Sequence, residues 1–162
     1  MNIIKKILAI VTIAALSASF CAKAETTPSP RDLFVESESP LGFNETVEAL
    51  KAEMTANGWS VLATHDLSAA LAKKGHDVLP VAIIEGCSGK FSVTLLKKDE
   101  TRYVSSLLPC RVSVYATSSG KVIISRMNTT VMGAQMEPAV AEVMAKAGAG
   151  IEAVIAKVTA KK

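Results

Sequence analysis

From residue 110 to 125 the chain alternates. Cys110, Val112, Val114 and Ala116 interleave with Arg111, Ser113, Tyr115 and Thr117, the period-two pattern of a strand with one buried face. Ser118-Ser119-Gly120 turns this run into Lys121–Ser125, which predicts a hairpin. The period then changes. Val140, Val143, Met144, Ala147, Ile151, Val154, Ile155 and Val158 recur at steps of three and four, one apolar stripe along a long helix. Pro138 suits its first turn, and Gly148 and Gly150 read as a kink or soft point in its middle.

Upstream, Leu33 and Val35 alternate with Asp32 and Glu36 in a short strand that Pro40 and Gly42 break. Asn44 reads as the N-cap of a helix carrying Val47, Leu50 and Met54, stopped by Gly58. Trp59–Thr64 follows as a strand. Asp66 caps a short helix over Leu67–Lys74, closed by Gly75. Leu79–Ile84 is an apolar run read as a buried strand ending near Cys87, and Ser88 caps a helix through Phe91, Leu95 and Leu96. The order is strand, long helix, four strands with short helices inserted, long helix. Strands joined by hairpins or short connections predict an α+β fold, an antiparallel sheet with its helices packed on one face.

Charge has to be located before it is interpreted. The formal net charge is +3 and aromatics make up only 4% of the 162 residues. Residues 1–24 carry Lys5 and Lys6, then an uncharged, mostly apolar run from Ile7 to Phe20, then Ala22-Lys23-Ala24. These are the three parts of a secretory signal peptide, and the run is shorter than the ~20 residues a membrane-spanning helix needs. Cleavage after Ala24 removes Lys5, Lys6 and Lys23 and no acid, leaving 15 basic against 15 acidic residues. The expectation is a periplasmic or secreted protein with no membrane attachment after cleavage. A neutral domain with few aromatics has no field to draw it onto phosphate backbones, so nucleic acid is not an expected partner. Residues 25–31, with two prolines, read as a flexible lead-in, and 32–160 as a single domain.

The same cleavage removes Cys21 and leaves Cys87 and Cys110, an even pair in an oxidising compartment. Three readings use that pair. It forms a structural disulfide, closing a separation that the chain-entropy estimate values at roughly 3 kcal/mol; it cycles as an exchangeable dithiol; or it binds a small ligand or a soft or borderline metal such as copper or zinc. His65, at the end of a strand, is the candidate imidazole to join Cys87 and Cys110 around such a metal; His76, in the turn Gly75-His76-Asp77, reads as a surface residue. Met127, Met132, Met136 and Met144 are dense for one stretch, and thioethers suit cuprous copper, although core filling accounts for them too. The chain carries no G-x-S-x-G, P-loop, G-x-G-x-x-G or H-E-x-x-H motif, so no residue is assigned a catalytic role.

The segment Leu107-Leu108-Pro109-Cys110-Arg111-Val112, with Gly120-Lys121-Val122 and Ile124-Ser125-Arg126-Met127-Asn128 after it, resembles the DUF302 family. Gly42-Phe43, Gly58, His65-Asp66 and Cys87 after Ile83-Ile84-Glu85 fit the same pattern, so that the resemblance covers about Leu33 to Val158. It implies a TATA-binding-protein-like α+β topology and a homodimer, with no agreed activity; the fold name carries no implication of DNA binding. Family members often have Asn-Pro after the first cysteine, where this chain has Ser88-Gly89, so a ligand role for that Asn is lost.

Overall fold

The structure is a computed structural model and describes residues 29–161. The leader over 1–24, with Cys21, and the lead-in residues 25–28 lie outside the described residues. Residues 29–31 belong to a capped turn: Ser29 Oγ accepts from the Arg31 N–H and Asp32 Oδ2 accepts from the Ser29 N–H.

Five strands form one antiparallel sheet in the order β1-β5-β4-β3-β2, with β1 over Phe34–Ser39, β2 Ser60–Asp66, β3 Val81–Cys87, β4 Cys110–Ala116 and β5 Val122–Met127. The helices are α1 (Phe43–Ala56), α2 (Leu67–Ala72), α3 (Gly89–Leu96), α4 (Asp99–Arg102), α5 (Thr129–Gly133) and α6 (Pro138–Thr159), with a 3₁₀ turn at Tyr103–Leu107. The α+β class, the antiparallel sheet and the order of long elements agree with the sequence pattern. The β4–β5 hairpin turns where expected, with Gly120 at φ +82°, a left-handed conformation that favours glycine.

The alternation of β3, β4 and β5 decides which face is covered. Ala82, Ile84, Val112, Val114, Val122 and Ile124 point into a core with Val47, Leu50 and Met54 of α1 and Ala147, Ile151, Val154, Ile155 and Val158 of α6. The intervening residues, Glu85, Arg111, Ser113, Tyr115 and Ser125 among them, face away from those helices. A second, smaller core joins Leu95, Val104, Val140 and Met144, with Met132 and Met136 packed on it. Met132 and Met136 do not share a helical face, because α5 ends at Gly133; they fill this core.

Two local signals resolve differently from their sequence reading. Helix α1 begins at Phe43 with Gly42 as its N-cap residue, and the carboxylate of Glu45 accepts from the Gly42 N–H at 3.0 Å. Asn44 therefore sits inside the first turn. Ser88 occupies the N-cap position of α3 without a side-chain capping bond; its carbonyl accepts from Phe91 and Ser92 instead.

Helix α6 runs unbroken through Gly148 and Gly150. A Cβ at Gly148 would lie 1.9 Å from Thr129 Oγ1, and one at Gly150 would lie 3.0 Å from the Trp59 ring. Both glycines are contact points that let α5 and Trp59 approach the helix axis. Thr129 is short, stiff and β-branched, so it cannot swing clear. Gly148→Ala is expected to destabilise the fold by about 1–3 kcal/mol despite its better helix propensity. Urea denaturation checks this, and the cost should shrink when Thr129→Ala is added; equal stability of Gly148→Ala and wild type would overturn it.

Candidate functional site

The two cores do not fuse. Between them, at the end of the sheet where β3 finishes and β4 begins, lies a cavity of about 80 Å³. Its walls are mainly apolar: Trp59, Phe91, Leu95, Val104, Leu107 and Ile151. Trp59 and Phe91 pack tilted at 47° with centroids 6.0 Å apart, and Lys90 Nζ stands 5.8 Å from the Phe91 centroid. Both sequence-predicted cysteines line this cavity.

Cys87 ends β3 and Cys110 opens β4. The antiparallel register pairs Cys110 with Gly86, and Cys87 is the next residue along. Ladder spacings put the two Cα atoms about 6 Å apart. Both thiols are free. The Cys87 Sγ makes a 3.1 Å hydrogen bond with Ser92 Oγ, which turns it toward α3. Cys110 packs against the larger core. Burial pushes the Cys110 thiol above its ordinary range, and the neighbouring Cys87 adds to that.

His65 is not gathered with the thiols. Because β2 and β3 are antiparallel, the end of β2 meets the start of β3: His65 is opposite Ile83, whereas Cys87 is opposite Ser60. Four residues of strand, about 13 Å, separate the His65 level from Cys87. The His65 imidazole lies 3.5 Å from the Glu85 carboxylate, which also accepts from Arg111 at 3.3 Å. Among the described residues no group of three or more His, Cys, Asp or Glu side chains is placed to hold a metal. The expected His65–Cys87–Cys110 set is therefore not assembled. His76 lies exposed in the turn after α2.

Arg126 is a residue the sequence reading left unused. It occupies an inward position of β5, is 7% exposed, and borders the cavity. Glu152 of α6 grips its guanidinium at two points, Nε to Oε1 at 2.7 Å and Nη2 to Oε2, while Nη1 donates to Ser37 Oγ at 2.8 Å. Its charge is paired, and the bidentate clasp ties α6 to β5 and β1. The alternation Val122, Ile124, Arg126 carried the signal, since it places an arginine in register with core residues. Over the cavity's other side, Tyr103 OH donates to the Glu137 carboxylate and fastens the 3₁₀ turn to the start of α6. That bond holds the tyrosine proton on and the glutamate proton off relative to their ordinary ranges.

The family model described as a domain of unknown function, DUF302, matches residues 35–158. A crystal structure of an uncharacterized conserved DUF302 protein from Bacillus stearothermophilus is similar to this chain at 26% identity and a TM-score of 0.71, covering 78% of this chain and 98% of that one. Among curated proteins, none matches the chain.

The Cys110 environment gives a measurable consequence. A thiol whose folded pKa is raised stays protonated to higher pH than in the unfolded chain, so its reaction with an alkylating agent is delayed on the pH axis. The midpoint of iodoacetamide labelling at Cys110, followed by mass spectrometry, is expected above that of the unfolded chain. Cys87→Ala should lower it part of the way, leaving the larger share due to burial. A folded midpoint at or below the unfolded one would overturn this.

Proposed function

The chain belongs to the DUF302 family, and from that premise we propose that it is an exported binding module whose site is the cavity between its two cores. The observation that carries the reading is the cavity itself, a partly open, mainly apolar pocket between the two cores with two thiols on its wall. The pocket is partly open, so its apolar walls lack packing partners on that side. A ligand that fills it recovers the lost contacts. The walls select a small, mostly apolar group, and the polar partners on offer are Ser88, Ser92, Thr129, the thiols and, at the border, Arg111 and the paired Arg126.

Trp59 makes this testable, because it is the chain's single tryptophan and it lines the cavity. A short bromoalkane, whose bromine quenches indole emission on contact, is expected to quench Trp59 saturably. Ala147→Leu, which extends a cavity-lining side chain into the void, should abolish the saturable part while the melting temperature holds or rises. Quenching that stays linear with concentration and is equal in both proteins would overturn the cavity as a binding site.

A second reading uses the spacing of the pair. Cα atoms about 6 Å apart lie within the ~4.4–6.8 Å span of a disulfide, and since Cys110 pairs with Gly86, reversible exchange requires Cys87 to turn at the end of β3 toward the face that Cys110 shares. An inert bridge at the same place would instead make the domain a non-catalytic interaction module. Export and a homodimer belong to the same proposal: the leader supports the first, and the second rests on the family resemblance and on the sheet face turned away from α1 and α6. No helix among the described residues is long and apolar enough to cross a membrane. Native and intact mass spectrometry of protein isolated from the cell envelope tests these points together. The expected chain starts at Glu25, forms a dimer, and shows a Cys87–Cys110 species lighter by two hydrogens that thiol reductant converts to the free form. A chain retaining residues before Glu25 rules out cleavage there, a monomer rules out the dimer, and thiols that never bridge rule out redox cycling.

A further inference from the structure

We propose that the cavity holds one cuprous ion, bound by the Cys87 and Cys110 thiolates with the Met144 thioether as third ligand; this deepens the binding-module reading and rests on it. Sulfur is concentrated there. Cys87, Cys110, Met127 and Met144 all line the one cavity, and its lining includes no carboxylate and no imidazole. Hard cations need oxygen ligands, so magnesium, calcium and manganese are disfavoured. Zinc in a structural site takes four nitrogen, sulfur or oxygen ligands, and the described residues assemble no group of three or more His, Cys, Asp or Glu side chains. Cuprous copper is soft and satisfied by two or three sulfurs, which is what the cavity offers.

The three ligands come from three different elements. Cys110 packs against the larger core at the start of β4, Cys87 is turned toward α3 by its bond to Ser92, and Met144 belongs to the smaller core on α6. The ion would sit where the two cores meet, joining parts of the fold that the void separates. Binding displaces two protons: Cu⁺ and two thiols give a bis-thiolate cuprous centre of net charge −1 and two H⁺. Copper stays cuprous throughout, so no electron is transferred. Ser92 Oγ is placed to donate to the Cys87 thiolate after its proton leaves, and the paired Arg126 borders the cavity on the sheet side.

The test is an anaerobic titration of the reduced, exported chain with Cu(I) buffered by bicinchoninate as competing chelator. One Cu(I) per chain is expected, with Trp59 emission quenched to the same endpoint. Cys87→Ser and Cys110→Ser should each weaken binding by about a hundredfold or more, and the volume-conserving Met144→Leu by about tenfold. Circular dichroism melts of each metal-free variant establish that it is folded, and Met144→Leu, which keeps the core volume, is the variant least exposed to a folding failure. Failure to take Cu(I) from the chelator, unchanged affinity in folded Cys110→Ser, or an unaltered affinity in Met144→Leu would overturn the assignment. If Cu(I) does not bind while the bromoalkane still saturates Trp59 quenching, the copper site falls and the cavity reading stands. If neither reaches Trp59, both fall.

Discussion

The approach of α6 to its neighbours at Gly148 and Gly150 is the constraint on which the rest of the molecule depends. A 22-residue helix laid across a sheet must find room for the side chains between them. Here the room is made by omitting two of them. With Gly148 against Thr129 and Gly150 against Trp59, the middle of the helix makes its closest approach to α5 and Trp59, while Met144 and Val154 to either side supply full-sized contacts. The two glycines lower helix propensity by about 1 kcal/mol each, so the close packing they permit has to offset that loss. The Arg126–Glu152 clasp lies four residues from Gly148 along α6 and fixes the helix against β5 at that depth.

The cavity follows from this geometry. On one side of this close approach, Ile151, Val154, Ile155 and Val158 complete the core over the sheet; on the other, Val140 and Met144 pack with Leu95 and Val104. The segment connecting β3 to β4 carries that second core away from the sheet, and the space between the two is left to Trp59, Phe91 and the thiols.

The elements set by periodicity were legible in the sequence. The 110–125 alternation and the 140–158 stripe each repeat one signal often enough to fix both the element and its inward face. Single-residue signals did less well. Asn44 is a good capping residue in isolation, but Glu45 one position later reaches back to Gly42 and moves the start of α1. Gly148 and Gly150 read as weak points because a helix considered alone sees only lost propensity; their reason is in Thr129 and Trp59, far away in sequence. The pairing of Cys87 with Cys110 at one sheet end followed once β3 and β4 were taken as antiparallel neighbours. His65 failed to join them for the same reason: antiparallel order between β2 and β3 puts consecutive strand ends at opposite edges. The cavity wall drew on α3, the 3₁₀ turn and α6 together, and no local pattern announces a surface assembled from parts so distant.

The two proposed chemistries would compete for the same pair of sulfurs, and geometry sets the terms. A disulfide would have to draw Cys87 Sγ away from Ser92 and across the one-residue offset toward Cys110, covering part of the cavity wall with a bond that offers no thiolate. A ligand or ion held by the thiols would need them reduced, with Cys87 kept toward α3 by its Ser92 bond. The two proposed states would exclude one another for an occupant held by thiolates: bridging the pair would release it, and its binding would keep the pair reduced. By linkage, an occupant bound only to the reduced thiolates would lower the driving force for Cys87–Cys110 bridging by an amount set by its affinity and concentration.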